Sequence, residues 1–85
     1  MLKLTAVPDA ERVTLRAEGE LVDKWVDLME EECRRLGANG RAMALDLGGV
    51  TYVDTHGVER LRFLIGQGVT LVRCPSLIRE MLAED

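Results

Sequence analysis

Leu45-Asp46-Leu47-Gly48-Gly49-Val50-Thr51-Tyr52-Val53-Asp54-Thr55-His56-Gly57 runs from an apolar segment through two glycines to an acid, a hydroxyl and a third glycine. Its first residues close the nearly continuous apolar run 42–47, the pattern of a central strand covered on both faces, with Asp46 as the exception. Residues 48–54 read as a crossing loop. Beyond them Val58, Leu61 and Leu64-Ile65 fall on one side of a helical pattern that Gly66 and Gly68 end. Strand, loop and helix in that order are the middle of a crossover unit.

Working outward, Leu2, Leu4 and Ala6 alternate with Lys3 and Thr5, and Val13, Leu15 and Ala17 alternate with Arg12, Thr14, Arg16 and Glu18. Period-two alternation marks two half-buried strands. Pro8-Asp9-Ala10-Glu11 between them supplies turn chemistry, so the pair is a hairpin. From Leu21 the period changes, with Val22, Val26, Met29, Cys33 and Leu36 recurring at helical spacing. Arg34 and Arg35 suit the last turn of that helix, and Gly37 is placed to take the left-handed cap conformation. On the other side, residues 69–73 form a short strand, and Pro75-Ser76 opens a last helix with Ile78, Met81 and Leu82 on one face. Met29, Met43 and Met81 all occupy periodic apolar positions and read as core.

The expected fold is therefore α/β, a small mixed four-stranded sheet with an N-terminal hairpin and three helices in the order β-β-α-β-α-β-α. Residues 1–85 form one domain, since half of 85 residues would be too few for a hydrophobic core of its own. Ligands and partners of such sheets gather at the carboxyl ends of the strands, which directs attention to residues 46–58.

Composition narrows the function classes. Fifteen acids against eleven bases give a net charge of −4, which opposes the phosphate neutralisation that nucleic-acid binding needs. Residues 18–35 hold seven of the acids and three of the bases and read as a solvated helix face. No apolar stretch approaches the length of a membrane span, so no direct membrane insertion is expected. Only seven residues precede Pro8, too few for a secretory signal, and a cytoplasmic location is expected. Cys33 and Cys74 stand 41 positions apart beside a single histidine, which suggests buried thiols and neither a zinc site nor a disulfide framework. Gly48-Gly49 lacks the lysine and following helix of a phosphate-binding loop, so no cofactor is expected. Asp54 with His56 has no second histidine or thiolate to complete a metal or acid-base site, and no nucleophile-base pair argues for an enzyme.

Three segments together resemble the STAS domains, a family that includes the bacterial anti-sigma factor antagonists. Gly19-Glu20-Leu21 is similar to the family's GEL(D) turn into the first helix; residues 45–57 resemble its LDLSGVxxVDSSG signature; Pro75-Ser76-Leu77-Ile78-Arg79 is similar to its closing PSxxxR helix. In the antagonists the hydroxyl residue directly after the signature aspartate is phosphorylated by a kinase-type anti-sigma factor, a serine/threonine kinase, and the modification abolishes the complex. The resemblance places that role on Thr55, with Asp54, Thr55, His56, Gly57 and Val58 as partner-binding surface. A phosphate there would meet the positive end of a helix, and its charge beside Asp54 and near Asp46 would alter the surface by like-charge repulsion. Capping of the helix by Asp54 or Thr55 is compatible with that role.

The same VDT-G segment also resembles the STAS subunit of bacterial phospholipid-import ABC complexes, where the threonine contacts the ATPase without being switched. The sequence departs from the family at three places. His56 replaces a small residue and reads as an exposed contact that tunes kinase recognition. Val22 stands where an aspartate is common, with Asp23 one place later. The chain ends after the third helix, where many relatives add a strand and helix, so one sheet edge is expected to be open to pairing or a homodimer. Arg60 and Arg62 lie beside the apolar positions of the second helix, either on a solvated face paired with Glu59 or facing an acidic partner.

Overall fold

The structure, a computed structural model, describes residues 1–84, residue 39 in its backbone only; Asp85, the last residue of the expected domain, lies outside them. The elements are β1 (Leu2–Pro8), β2 (Arg12–Leu21), α1 (Lys24–Leu36), a 3₁₀ turn (Gly37–Asn39), β3 (Ala42–Val53), α2 (Thr55–Gly66), β4 (Thr70–Val72) and α3 (Ser76–Ala83). The sheet order is β1-β2-β3-β4, with β1 antiparallel to β2 and the remaining pairs parallel. This is the expected mixed α/β architecture in the expected order.

Local chemistry accounts for the hairpin. The Asp9 carboxylate accepts from the N–H of Glu11 at 2.9 Å and of Arg12 at 2.8 Å, closing the turn on its own backbone. Pro8 belongs to β1, an edge strand, where its missing N–H disturbs little. One core follows from the two periodicities. Val13, Leu15 and Ala17 of β2 and Met43, Leu45 and Leu47 of β3 cluster with Val26, Met29 and Cys33 of α1, Val58, Leu61 and Leu64 of α2, and Ile78 of α3. The helices thus bury their apolar stripes against one side of the sheet.

Four expectations need correction. Helices cover β3 on one face only; Ala44 and Asp46 alternate to the other face, where arginine side chains bury the acid. Residues 48–53 are strand rather than loop. β2 likewise runs on through Gly19-Glu20-Leu21, and the two stay paired to Leu21 opposite Val53 through register shifts at Arg16/Glu18 and Gly19/Glu20. Glycine is required here by crowding, because a Cβ on Gly49 would stand 2.7 Å from Glu18 Cγ, and one on Gly19, at φ +112°, 2.2 Å from the Met1 carbonyl oxygen. Gly37 sits at φ −86°, inside a continuing 3₁₀ turn, and Gly40 at φ 79° takes the left-handed position instead. Cys33 is buried as expected, but Cys74 is only half-buried. Among the described residues no helix is long and apolar enough to cross a membrane.

Candidate functional site

The C-terminal ends of β2 and β3 and the first turns of α1 and α2 meet at Asp54. Its backbone is extended, at φ −92° and ψ 179°, and its Oδ1 accepts from the Gly57 N–H at 2.7 Å, the side-chain cap of α2. Its Oδ2 accepts from the N–H of Asp23 at 3.0 Å. One carboxylate therefore ties the start of α2 to the start of α1. Burial pushes the Asp54 pKa up, but the N–H groups of Gly57 and Asp23, together with the nearby His56 and the residue's own backbone N–H, offset this, and the carboxyl sits below its ordinary value.

The turn that delivers Asp23 to this bond is tight. Trp25 N–H donates to the Val22 carbonyl at 3.0 Å, and Asp23 adopts φ 48° and ψ −127°, the first central position of a type II′ turn that glycine normally fills. Asp23 thus acts here through its peptide N–H.

Thr55 is the first residue of α2 and is exposed. His56 beside it is half-buried, and its Nε2 lies 3.0 Å from Oδ1 of Asp27 in the first turn of α1. The hydrogen bond to Asp27 raises the His56 pKa, with the Asp27 and Asp54 charges adding to it. Gly57 and Val58, expected on the contact surface, face inward. Val58 is 6% exposed within the core, and a Cβ on Gly57 would meet Val53 Cγ2 at 2.5 Å and the Leu21 carbonyl oxygen at 2.9 Å. The exposed rim is accordingly Thr55, with half-buried Asp54 and His56, and the exposed Tyr52 at the end of β3.

The two arginines of α2 have other partners than Glu59. Arg60 Nε donates to Glu30 Oε1 at 2.8 Å in a two-pronged pair with α1, and its guanidinium lies 4.5 Å from the Phe63 ring centre. Arg62 donates to the carbonyls of Met81 at 2.9 Å, Leu82 and Glu84 at the end of α3. Both arginines fasten α2 to its neighbours.

Asp46, the lone acid of the apolar run, is held on the opposite face of the sheet. Arg73 Nε and Nη2 donate to it at 3.0 and 2.9 Å, Arg16 stands 3.7 Å away, and the Gly48 N–H donates to Oδ1 at 2.9 Å. The Arg73 hydrogen bond, with help from Gly48, holds its carboxyl below the ordinary value despite burial. Asp27, Glu30 and Arg73 carry no sequence signal that singles them out, because each partner is 27 to 30 residues away.

No family model matches the chain, and neither does any curated protein at a significant level. Solved structures do. The anti-sigma factor antagonist SpoIIAA in its unphosphorylated form superposes with a TM-score of 0.68 at 19% identity, over 93% of this chain and 80% of SpoIIAA. A protein described as Mglu superposes with a TM-score of 0.65 at 23% identity, over 85% of this chain but only 19% of the Mglu chain. The chain has a STAS-like fold, shared with an anti-sigma factor antagonist.

Proposed function

We propose that the chain is a non-enzymatic regulatory module of the anti-sigma factor antagonist kind, which docks a kinase-type anti-sigma factor through the Thr55 rim and is released when Thr55 is phosphorylated. The observation that carries this is the exposure of Thr55 on the first turn of α2, directly after an aspartate whose carboxylate is already committed to two backbone N–H groups. An acceptor hydroxyl must be reachable by a second active site. The first N–H groups of a helix lack intrahelical acceptors, so a phosphate at Thr55 stands where the helix favours negative charge. Its charge falls beside Asp54 and would repel an acidic partner surface seated on the rim, or disfavour an apolar one through the cost of desolvating the phosphate.

The test is a purified cognate kinase with ATP. Wild type and Thr55→Ser are expected to take up one phosphate and Thr55→Val none, while Thr55→Glu loses the complex that wild type forms with the ADP-bound kinase. An unmodified Thr55 together with no ADP-dependent complex overturns the proposal. Copurification with an ABC ATPase that Thr55→Ala abolishes and kinase treatment leaves intact would select the transporter subunit instead.

A further inference from the structure

At the end of the molecule away from Thr55, the last turns of α1 and α2 part around the start of β3 and leave a cleft of about 750 Å³. That is the size of a small-molecule site. Its floor is apolar, formed by Met43, Leu64 and Val69, with the half-exposed ring of Phe63 as a wall. Its rim carries Arg34 and Arg41, both exposed, and neither forms an ion pair among the described residues. Arg60 and Glu30 also border the cleft but neutralise each other. Burial pushes the Cys33 thiol, which also borders it, up to about 11, so it adds no charge near neutral pH.

The cleft therefore holds two positive charges outside any close ion pair, Arg34 feeling Glu30 and Arg41 feeling Asp9 only at longer range, over an apolar floor in a chain whose net charge is −4. From this we infer a binding site for a small amphipathic anion, a flat apolar body carrying one carboxylate-type head group. The body would lie against Phe63 and Met43, and the head between Arg34 and Arg41, where guanidinium groups suit a planar carboxylate. Nothing in this requires the Thr55 rim, and the site stands or falls separately from the docking proposal.

The test is an amide NMR titration of the full chain with 1-naphthoate, with uncharged 1-naphthamide as control. The expected result is a saturable shift confined to the residues around the cleft, Arg34, Arg41, Met43, Phe63 and Leu64 foremost, with the carboxylate bound about tenfold more tightly than the amide. Reversing both rim charges, Arg34→Glu with Arg41→Glu, should weaken 1-naphthoate about tenfold or more while the spectrum stays dispersed. Should that double variant not fold, Arg41→Gln alone at its exposed position keeps the comparison. Shifts scattered over the surface, equal affinity for acid and amide, binding indifferent to the arginine changes, or no saturable shift would each overturn the site.

Discussion

Asp46 and Asp54 stand eight residues apart along one stretch of chain and are held in opposite ways. Asp54 is gripped by peptide N–H groups from two helix starts, so its carboxylate fixes where the backbone goes. Asp46 takes one N–H from Gly48, but its main partners are Arg73 and Arg16, whose side chains are themselves about half exposed to solvent. A backbone-held acid builds a rigid corner on which an exposed hydroxyl can be presented. A side-chain-held acid seals the uncovered face of a sheet, and its partners can swing away without moving the chain.

If the corner is the rigid element, the largest loss should come from filling it. Gly57→Ala drives a Cβ against Val53 and the Leu21 carbonyl and is expected to destabilise by about 2–3 kcal/mol. Chemical denaturation reads this directly, and a loss below about 0.5 kcal/mol would mean that the corner gives way. Asp54→Ala comes next. It strands two N–H groups, and about 2 kcal/mol is expected, with Asp54→Asn in between because one carbonyl oxygen can still cap Gly57. The Asp54 carboxyl is depressed in the folded state, so its contribution is present above the ordinary carboxylate range and lost as pH falls through the lower folded value. Asp54→Asn should flatten the acid limb of the stability curve.

The exposed-face acid should be more forgiving. Asp46→Ala is expected to destabilise by about 1 kcal/mol, mostly through the Gly48 N–H, and Arg73→Ala by less because its guanidinium is largely solvated. Equal losses for Asp46→Ala and Asp54→Ala would erase the distinction between the two.

What could be read in the sequence divides along the same line. The Asp54 cap spans three residues, the Asp9 turn lies within four, and the core stripes repeat at fixed periods, so local pattern exposes all of them. Val58 belongs to the apolar stripe with Leu61 and Leu64, and its inward position was already implied by that spacing. The Asp46–Arg73, Asp27–His56 and Glu30–Arg60 pairs join separate elements, and no local pattern encodes which acid meets which base. Gly48-Gly49 looks like a loop in sequence, whereas both glycines lie within β3, where Gly49 leaves room for the close approach of Glu18 and Gly48 lies under the movable end of Arg73.

The turn before α1 sharpens the idea that Asp23 serves through its backbone. Its φ of 48° with ψ −127° strains any residue with a Cβ, and glycine keeps the N–H that Asp54 needs. Asp23→Gly is therefore expected to stabilise by up to about 1 kcal/mol, and a clear loss would show that its side chain also contributes.

The smallest effect concerns His56, which joins the corner to α1 through side chains alone and so combines both kinds of attachment. Its pKa is raised by the bond to Asp27, so protonated His56 favours the folded state. That contribution is complete below the ordinary value of 6.5 and is lost as pH rises through the higher folded value. Asp27→Asn and His56→Gln should each lower the melting temperature relative to wild type at about pH 6 and leave it unchanged at about pH 9, where the imidazole is neutral. Asp27 is largely exposed and His56 about half so, and added salt should therefore shrink the difference. A gap that persists at the higher pH would mean that the imidazole packs as a neutral body, and the pairing with Asp27 would then contribute shape rather than charge.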